Sequence, residues 1–203
     1  MANSPYLLAS HDSQPAGYTS DGETNYDFAK EVISDGGKYQ LPIFWLSLFT
    51  LEDVRVHHID DNTTVLTLVC RKNIALQNLE KHRPGILEMF PGYTAHWDSW
   101  EQFAQNASAS YFKVDATELW DLDPESFDSM LSSAVRWFES REDSDFEQLL
   151  SLGALNYNAE LRSATLGNSP VTGENLYGYR IRTSPPPLPG QLPPPLPQQP
   201  PKP

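Results

Sequence analysis

The 203-residue chain is the length of one ordinary domain with an appendage, and its 39% hydrophobic and 11% aromatic content marks it as globular rather than disordered. A folded part of about 180 residues buries roughly 70% of the surface its unfolded chain exposes, so a core forms without disulfides or a structural metal. A net charge of −13 repels phosphate backbones and anionic membranes, so neither nucleic acid nor a membrane is expected as a partner, and another protein, basic in character, is.

In chain order, residues 5–9 predict a first strand and residues 14–24 a polar loop. Residues 27–33 predict a short helix that stops at Gly36-Gly37. Pro42 suits a first helical turn. The residues after it, Ile43, Phe44, Trp45, Leu46, Leu48 and Phe49, make a helix apolar on nearly every side, which must be buried on nearly every side. That segment is the expected centre of the core. Residues 55–59 and 64–70, rich in Val and Thr around Asp60-Asp61-Asn62, predict a hairpin.

A helix from Lys72 toward Phe90 sets Ala75, Leu79, Ile86 and Phe90 on one face, and Pro84-Gly85 is expected to break or kink it. Residues 94–107 carry Trp97, Trp100, Phe103, Ala104 and Ala107 at helical spacing, and residues 111–114 read as a strand. A further helix is expected directly after Asp123, with Asp123 as cap, Pro124 in the first turn, and Phe127, Met130, Leu131, Ala134, Val135 and Phe138 as its apolar stripe. Ser144 and Glu147 have the spacing of a capping box for a last helix ending at Gly153. Residues 156–173 lack periodicity and read as loop, and residues 176–181 as a closing strand.

Eleven of the last twenty residues are proline, and Pro-Pro-Pro-Leu-Pro occurs twice, as Pro185, Pro186, Pro187, Leu188, Pro189 and as Pro193, Pro194, Pro195, Leu196, Pro197. Proline fixes φ and lacks the amide donor, so this stretch is expected to be a disordered polyproline II tail. The expected organisation is a single α+β domain over residues 1–183, with a small mixed or antiparallel sheet packed by several helices, and a proline-rich C-terminal tail over residues 184–203.

Met1-Ala2-Asn3, Tyr6-Leu7-Leu8, and Leu41-Pro42-Ile43-Phe44-Trp45-Leu46-Ser47-Leu48-Phe49 with Glu52-Asp53-Val54 resemble the opening of a group of uncharacterised, small acidic bacterial cytosolic proteins. The resemblance covers about the first third of the chain. It implies an α+β fold opening with a strand and a buried helix, and no activity. Immunity proteins, which neutralise toxins, are a type comparable by analogy.

Between Asp115 and Glu147 eleven acidic residues stand against two basic ones, Arg136 and Arg141. With the apolar stripe turned inward, Glu125, Asp128 and Glu139 are expected to face water, together with Asp115, Glu118 and Asp121 before the helix and Glu142 and Asp143 after it. These eight carboxylates are the expected docking face for a basic partner such as a nuclease, and a plain solvated surface is the alternative. The tail offers a second partner site, because a preformed polyproline helix loses little entropy on docking into an aromatic groove; a solubilising spacer is the plainer reading.

No catalytic, cofactor or metal site is expected. His57 and His58 are adjacent on a strand and point to opposite faces, so they do not converge on one ion. Cys70, the only cysteine, ends an apolar run and reads as a buried, inert thiol. No nucleophile elbow or phosphate loop occurs, which leaves an enzyme of unrecognised type as a further alternative. Tyr93, Trp97, Trp100 and Phe103 read as core before pocket. The first residues carry no positive region or long apolar run, and residues 41–49 are about half the length of a membrane helix, so a cytoplasmic location is expected.

Overall fold

The computed structural model describes residues 4–36, 41–89, 91–153 and 179–180. In order, the elements are β1 (Tyr6–Ser10), α1 (Phe28–Glu31), β2 (Val32–Asp35), α2 (Ile43–Leu46), β3 (Val54–His58), β4 (Thr64–Arg71), α3 (Lys72–Met89), α4 (Thr94–Asn106), β5 (Tyr111–Asp115), α5 (Thr117–Trp120), α6 (Phe127–Ser140), α7 (Asp143–Gly153) and β6 (Tyr179–Arg180). The strands form one sheet in the order β3-β4-β5-β1-β2-β6, antiparallel at every pairing. The fold is therefore α+β, as the sequence predicts. The loop expected over residues 156–173 and the tail over 184–203 lie outside the described residues. Of the strand expected over 176–181, Tyr179–Arg180 is described and pairs with β2.

Strand alternation separates two faces. Leu7, Leu68, Cys70, Phe112 and Val114 point to one side, where residues 41–49 and the buried faces of α3, α4 and α6 complete the main core. Leu8 and Val32 point to the other, and pack there with Ala16 and Tyr26. A bulge in β2 divides its β-branched pair between the two: Leu7 is opposite Ser34 and Leu8 opposite Val32, so Ile33 drops to the helical side.

Four local expectations are corrected. Residues 27–33 make a single helical turn, capped by Asp27 through the Lys30 amide, and then become β2. Val32 and Ile33 are stiff at χ1 and fit a pleated strand beside β1 better than a helix. Residues 41–49 are all buried, as their apolarity requires, but α2 is one turn. Beyond it, Asn78 Nδ2 donates to the Leu48 carbonyl at 3.0 Å, and His82 Nδ1 bonds the Ser47 carbonyl at 2.9 Å. These side chains lie one turn apart on α3 and take carbonyls that a longer helix would have used.

Pro84-Gly85 does not end α3, which continues to Met89. The guanidinium of Arg141 lies over Gly85, where any Cβ would overlap it. Gly85 is thus a notch in α3 that receives a side chain from the end of α6. Finally, α6 starts at Phe127 rather than directly after Asp123. Thr117–Trp120 forms a helix of its own, and the amides of Ser126 and Phe127 both reach back to the Asp123 carbonyl, at 3.3 and 3.0 Å. The residues between are turns.

Candidate functional site

The eight carboxylates predicted as one docking face do not form one. Asp115 is only 5% exposed. Its Oδ2 accepts the Tyr26 hydroxyl at 2.8 Å, and its Oδ1 accepts the Thr117 amide and hydroxyl at 3.0 and 2.6 Å, which starts α5. Glu118 is half-buried and accepts the Ser4 amide at 2.9 Å. Burial raises its pKa, and the charges of Asp115 and Asp35 add to the rise, outweighing the Ser4 amide. Asp128 is also half-buried, its Oδ1 taking the Leu66 amide at 3.0 Å. Glu139 pairs with Lys81 at 2.6 Å in an exposed contact that contributes at most about 1 kcal/mol.

Asp121, Glu125, Glu142 and Asp143 are exposed, as is Asp123. The first and second belong with Asp123 to the turn before α6, and Glu142 and Asp143 follow its far end. The 14 residues of α6 hold the two groups roughly 20 Å apart. Between them the outward positions are Ser129, Arg136 and the Lys81-paired Glu139, and Asp145 folds in to meet Arg136 at 3.2 Å and the Ser140 hydroxyl at 2.8 Å. The acidic face is therefore two separate ends. Helical phase shows which side of α6 faces the core; it says nothing of acids at the strand–helix junction, or of a flank carboxylate within reach of an unpaired amide.

At the near end, the carboxylates of Asp121, Asp123 and Glu125 make no hydrogen bond or ion pair among the described residues. Leu122 stands between them, 46% exposed. An apolar side chain held in water inside an acidic rim has the anatomy of a small protein-binding hot spot.

A second arrangement was not read from the sequence. The sheet face turned away from the helices carries Thr67, Lys113, Asp115 and His57, all buried. What buries them is the loop, residues 12–26. Lys113 Nζ donates to Asp12 Oδ1 at 2.6 Å; the lysine side chain is 2% exposed and the aspartate side chain 57%. Partial burial works to raise the Asp12 pKa, but hydrogen bonds from Lys113, the Gln14 amide and Ser10 outweigh it and hold the group below its usual value.

At the other end of the loop, burial and then the Asp115 charge push the Tyr26 phenol far above its usual range, so it stays protonated and donates. In the middle, His57 Nε2 bonds the Tyr18 carbonyl at 2.7 Å. Gly17 lies so close to the His57 ring and to Thr117 that a Cβ would overlap both. A signal for this face was present: in Tyr111-Phe112-Lys113-Val114-Asp115 the apolar residues alternate with polar ones.

His57 is buried and His58 exposed, on opposite sheet faces. Cys70 is buried, and burial followed by the charge of Asp53 raises its thiol pKa, which makes it unreactive. Trp97 and Trp100 are core residues, Trp97 edge-on to Phe44 at 5.0 Å and Trp100 stacked on Phe103 at 5.8 Å. No group of three His, Cys, Asp or Glu side chains among the described residues is placed to hold a metal ion. None of the described helices is long and apolar enough to cross a membrane. Set against known families, curated proteins and solved structures, the chain matches none.

Proposed function

We propose that this chain is a non-enzymatic protein of the cytoplasm that binds a basic partner protein at the turn between α5 and α6. The observation that carries this is Leu122, 46% exposed, with Asp121, Asp123 and Glu125 around it. The leucine supplies an apolar anchor whose burial on binding is worth about 1–2 kcal/mol, and the acids supply a rim that selects and steers a positive surface. The net charge of −13 extends that steering and disfavours nucleic acid. An inhibitor of the immunity type, covering the basic cleft of a nuclease, is one form such a protein takes.

A second reading is an adaptor that works through residues 184–203, favoured by the duplicated Pro-Pro-Pro-Leu-Pro. One comparison separates the two: pull-downs with the full chain, with Leu122→Ser, and with residues 184–203 deleted. A basic partner lost with Leu122→Ser and retained without the tail supports the turn. Retention by Leu122→Ser overturns it, and loss on tail deletion alone establishes the adaptor.

A further inference from the structure

Residues 12–26 are fastened at both ends to a single strand by opposite charges. Lys113 and Asp115 are two residues apart on β5, on the same face and so roughly 7 Å from each other. Lys113 holds Asp12 at one end of the segment, and Asp115 holds Tyr26 at the other.

Between these latches the segment is bonded mostly to itself. The Gly17 amide donates to Asn25 Oδ1 and the Asn25 amide to the Gly17 carbonyl, each at 3.1 Å, while Asn25 Nδ2 donates to the Pro15 carbonyl at 2.8 Å. The Thr19 amide reaches the Glu23 carbonyl at 2.8 Å, and Tyr18 bridges Thr24. Its attachments to the body pass almost entirely through side chains, the bond from the Ser20 amide to the Ile59 carbonyl being the backbone exception. Its buried apolar anchors are Ala16 and Tyr26, which join the small cluster of Leu8 and Val32, while half-buried Tyr18 alone packs against the main core.

The face underneath is what makes this a device and not merely a covered sheet. An apolar face would resist exposure. Here, beside the apolar Leu8, Val32 and Val69, the hidden groups are an ammonium, a carboxylate, an imidazole and two hydroxyls, at Lys113, Asp115, His57, Thr67 and Thr117. Such groups lose hydration when buried and regain it when the cover leaves. The buried Lys113 side chain is held by an aspartate whose own side chain is more than half exposed. Weak apolar anchoring over a polar surface is the pattern of a segment that opens locally, well below the free energy of global unfolding.

We infer that residues 12–26 are a strap that lifts as one unit from the polar face of the sheet, with Asp12–Lys113 and Tyr26–Asp115 as coupled latches. Lifting bares a row of hydrogen-bonding side chains on β4 and β5 that is closed at rest.

The test uses the full chain and an amine-acylating reagent, with the rate of Lys113 modification read by mass spectrometry against exposed Lys30. In the unsubstituted chain Lys113 reacts far more slowly than Lys30. Tyr26→Phe removes one hydrogen bond at the far latch and leaves the Lys113 partner in place, so it raises Lys113 modification about fivefold through opening of the whole strap. Asp12→Asn, which removes the opposite charge that faces the ammonium, raises it about tenfold or more. Tryptophan fluorescence and the urea midpoint are followed in both variants, and neither is expected to move far. Unchanged Lys113 reactivity in folded Tyr26→Phe shows the ends to be independent and overturns the coupled strap. Loss of the folded state in either variant overturns it too, because the segment would then be an integral part of the fold.

Discussion

Asp128 Oδ1 accepts the backbone amide of Leu66 at 3.0 Å and thereby stands in for a strand that ends too soon. β5 pairs with β4 from Leu68 to Arg71, and the position that would face Leu66 is Ala116, where the chain has already turned toward α5. Past that point β4 is paired with β3 but has no strand on its other side, and an amide turned that way needs an acceptor. Asp128→Ala leaves the amide half-buried without one and destabilises the fold by about 1–3 kcal/mol, whereas Asp128→Asn keeps an acceptor and costs less. Urea unfolding checks both, and equal midpoints for Asp128→Ala and the unsubstituted chain would falsify the role.

His82 makes stability depend on pH. Because Nδ1 faces the Ser47 carbonyl it carries the proton, and Nε2, buried and without a partner, would receive the second. Burial holds the imidazole below its usual value of 6.5. Lys81 and Arg141 add to that effect, while the Ser47 carbonyl and Glu139 oppose it without reversing it. The unfolded chain takes up a proton as pH drops through about 6.5 while the folded chain does not, so stability is full above that range and falls as the solution is acidified. His82→Asn retains a donor for Ser47 and removes the titration. Unfolding free energies measured between about pH 7.5 and pH 5.5 should therefore decline less steeply in the variant, and parallel curves would exclude His82 as the cause.

These relationships show where the sequence is legible and where it stops being so. The β3–β4 hairpin follows from Val- and Thr-rich runs around Asp60-Asp61-Asn62, and the burial of residues 41–49 follows from apolarity alone. The length of α2 does not, because Asn78 and His82, some thirty residues away in the chain, take the carbonyls beyond it. Asp128 reads as a surface acid for the same reason: nothing local reveals that the Leu66 amide lacks a partner. Lys113 was readable as the polar phase of an alternating strand, but the strap that buries it closes across a separation of 101 residues. Local pattern gives faces and periods; it does not give the distant group that completes them.

Arg141 and Gly85 are coupled. Arg141 sits at φ 59°, the left-handed region, as the C-cap of α6, with its guanidinium 4.5 Å from the Trp137 ring centre and over Gly85. The backbone there favours glycine by about 1 kcal/mol, so Arg141→Ala should be less stable than Arg141→Gly by about that much. Gly85→Ala displaces the guanidinium while Arg141 is present, and its gain in helix propensity is cancelled or reversed. In the Arg141→Gly background the same substitution stabilises α3 by up to about 1 kcal/mol. A double-mutant cycle from denaturant curves checks the pair, and strict additivity would show that the two do not interact.

The two acidic ends of α6 should behave differently toward a captured basic partner. Asp121→Asn with Asp123→Asn and Glu125→Gln removes the rim around Leu122, and association should slow by about tenfold at low salt with a flatter salt dependence. Leu122→Ser acts on the anchor itself, so it should raise the dissociation rate by about tenfold and leave association nearly unchanged. Glu142→Gln with Asp143→Asn changes two charges of the same sign at the far end of α6. That end is roughly 20 Å away, more than twice the Debye length of about 8 Å at physiological salt, so neither rate should move much. Stopped-flow or surface-based kinetics at two salt concentrations separates the effects. Equal slowing by the pair at 142 and 143 would mean that overall charge, and not the turn at Leu122, directs the encounter.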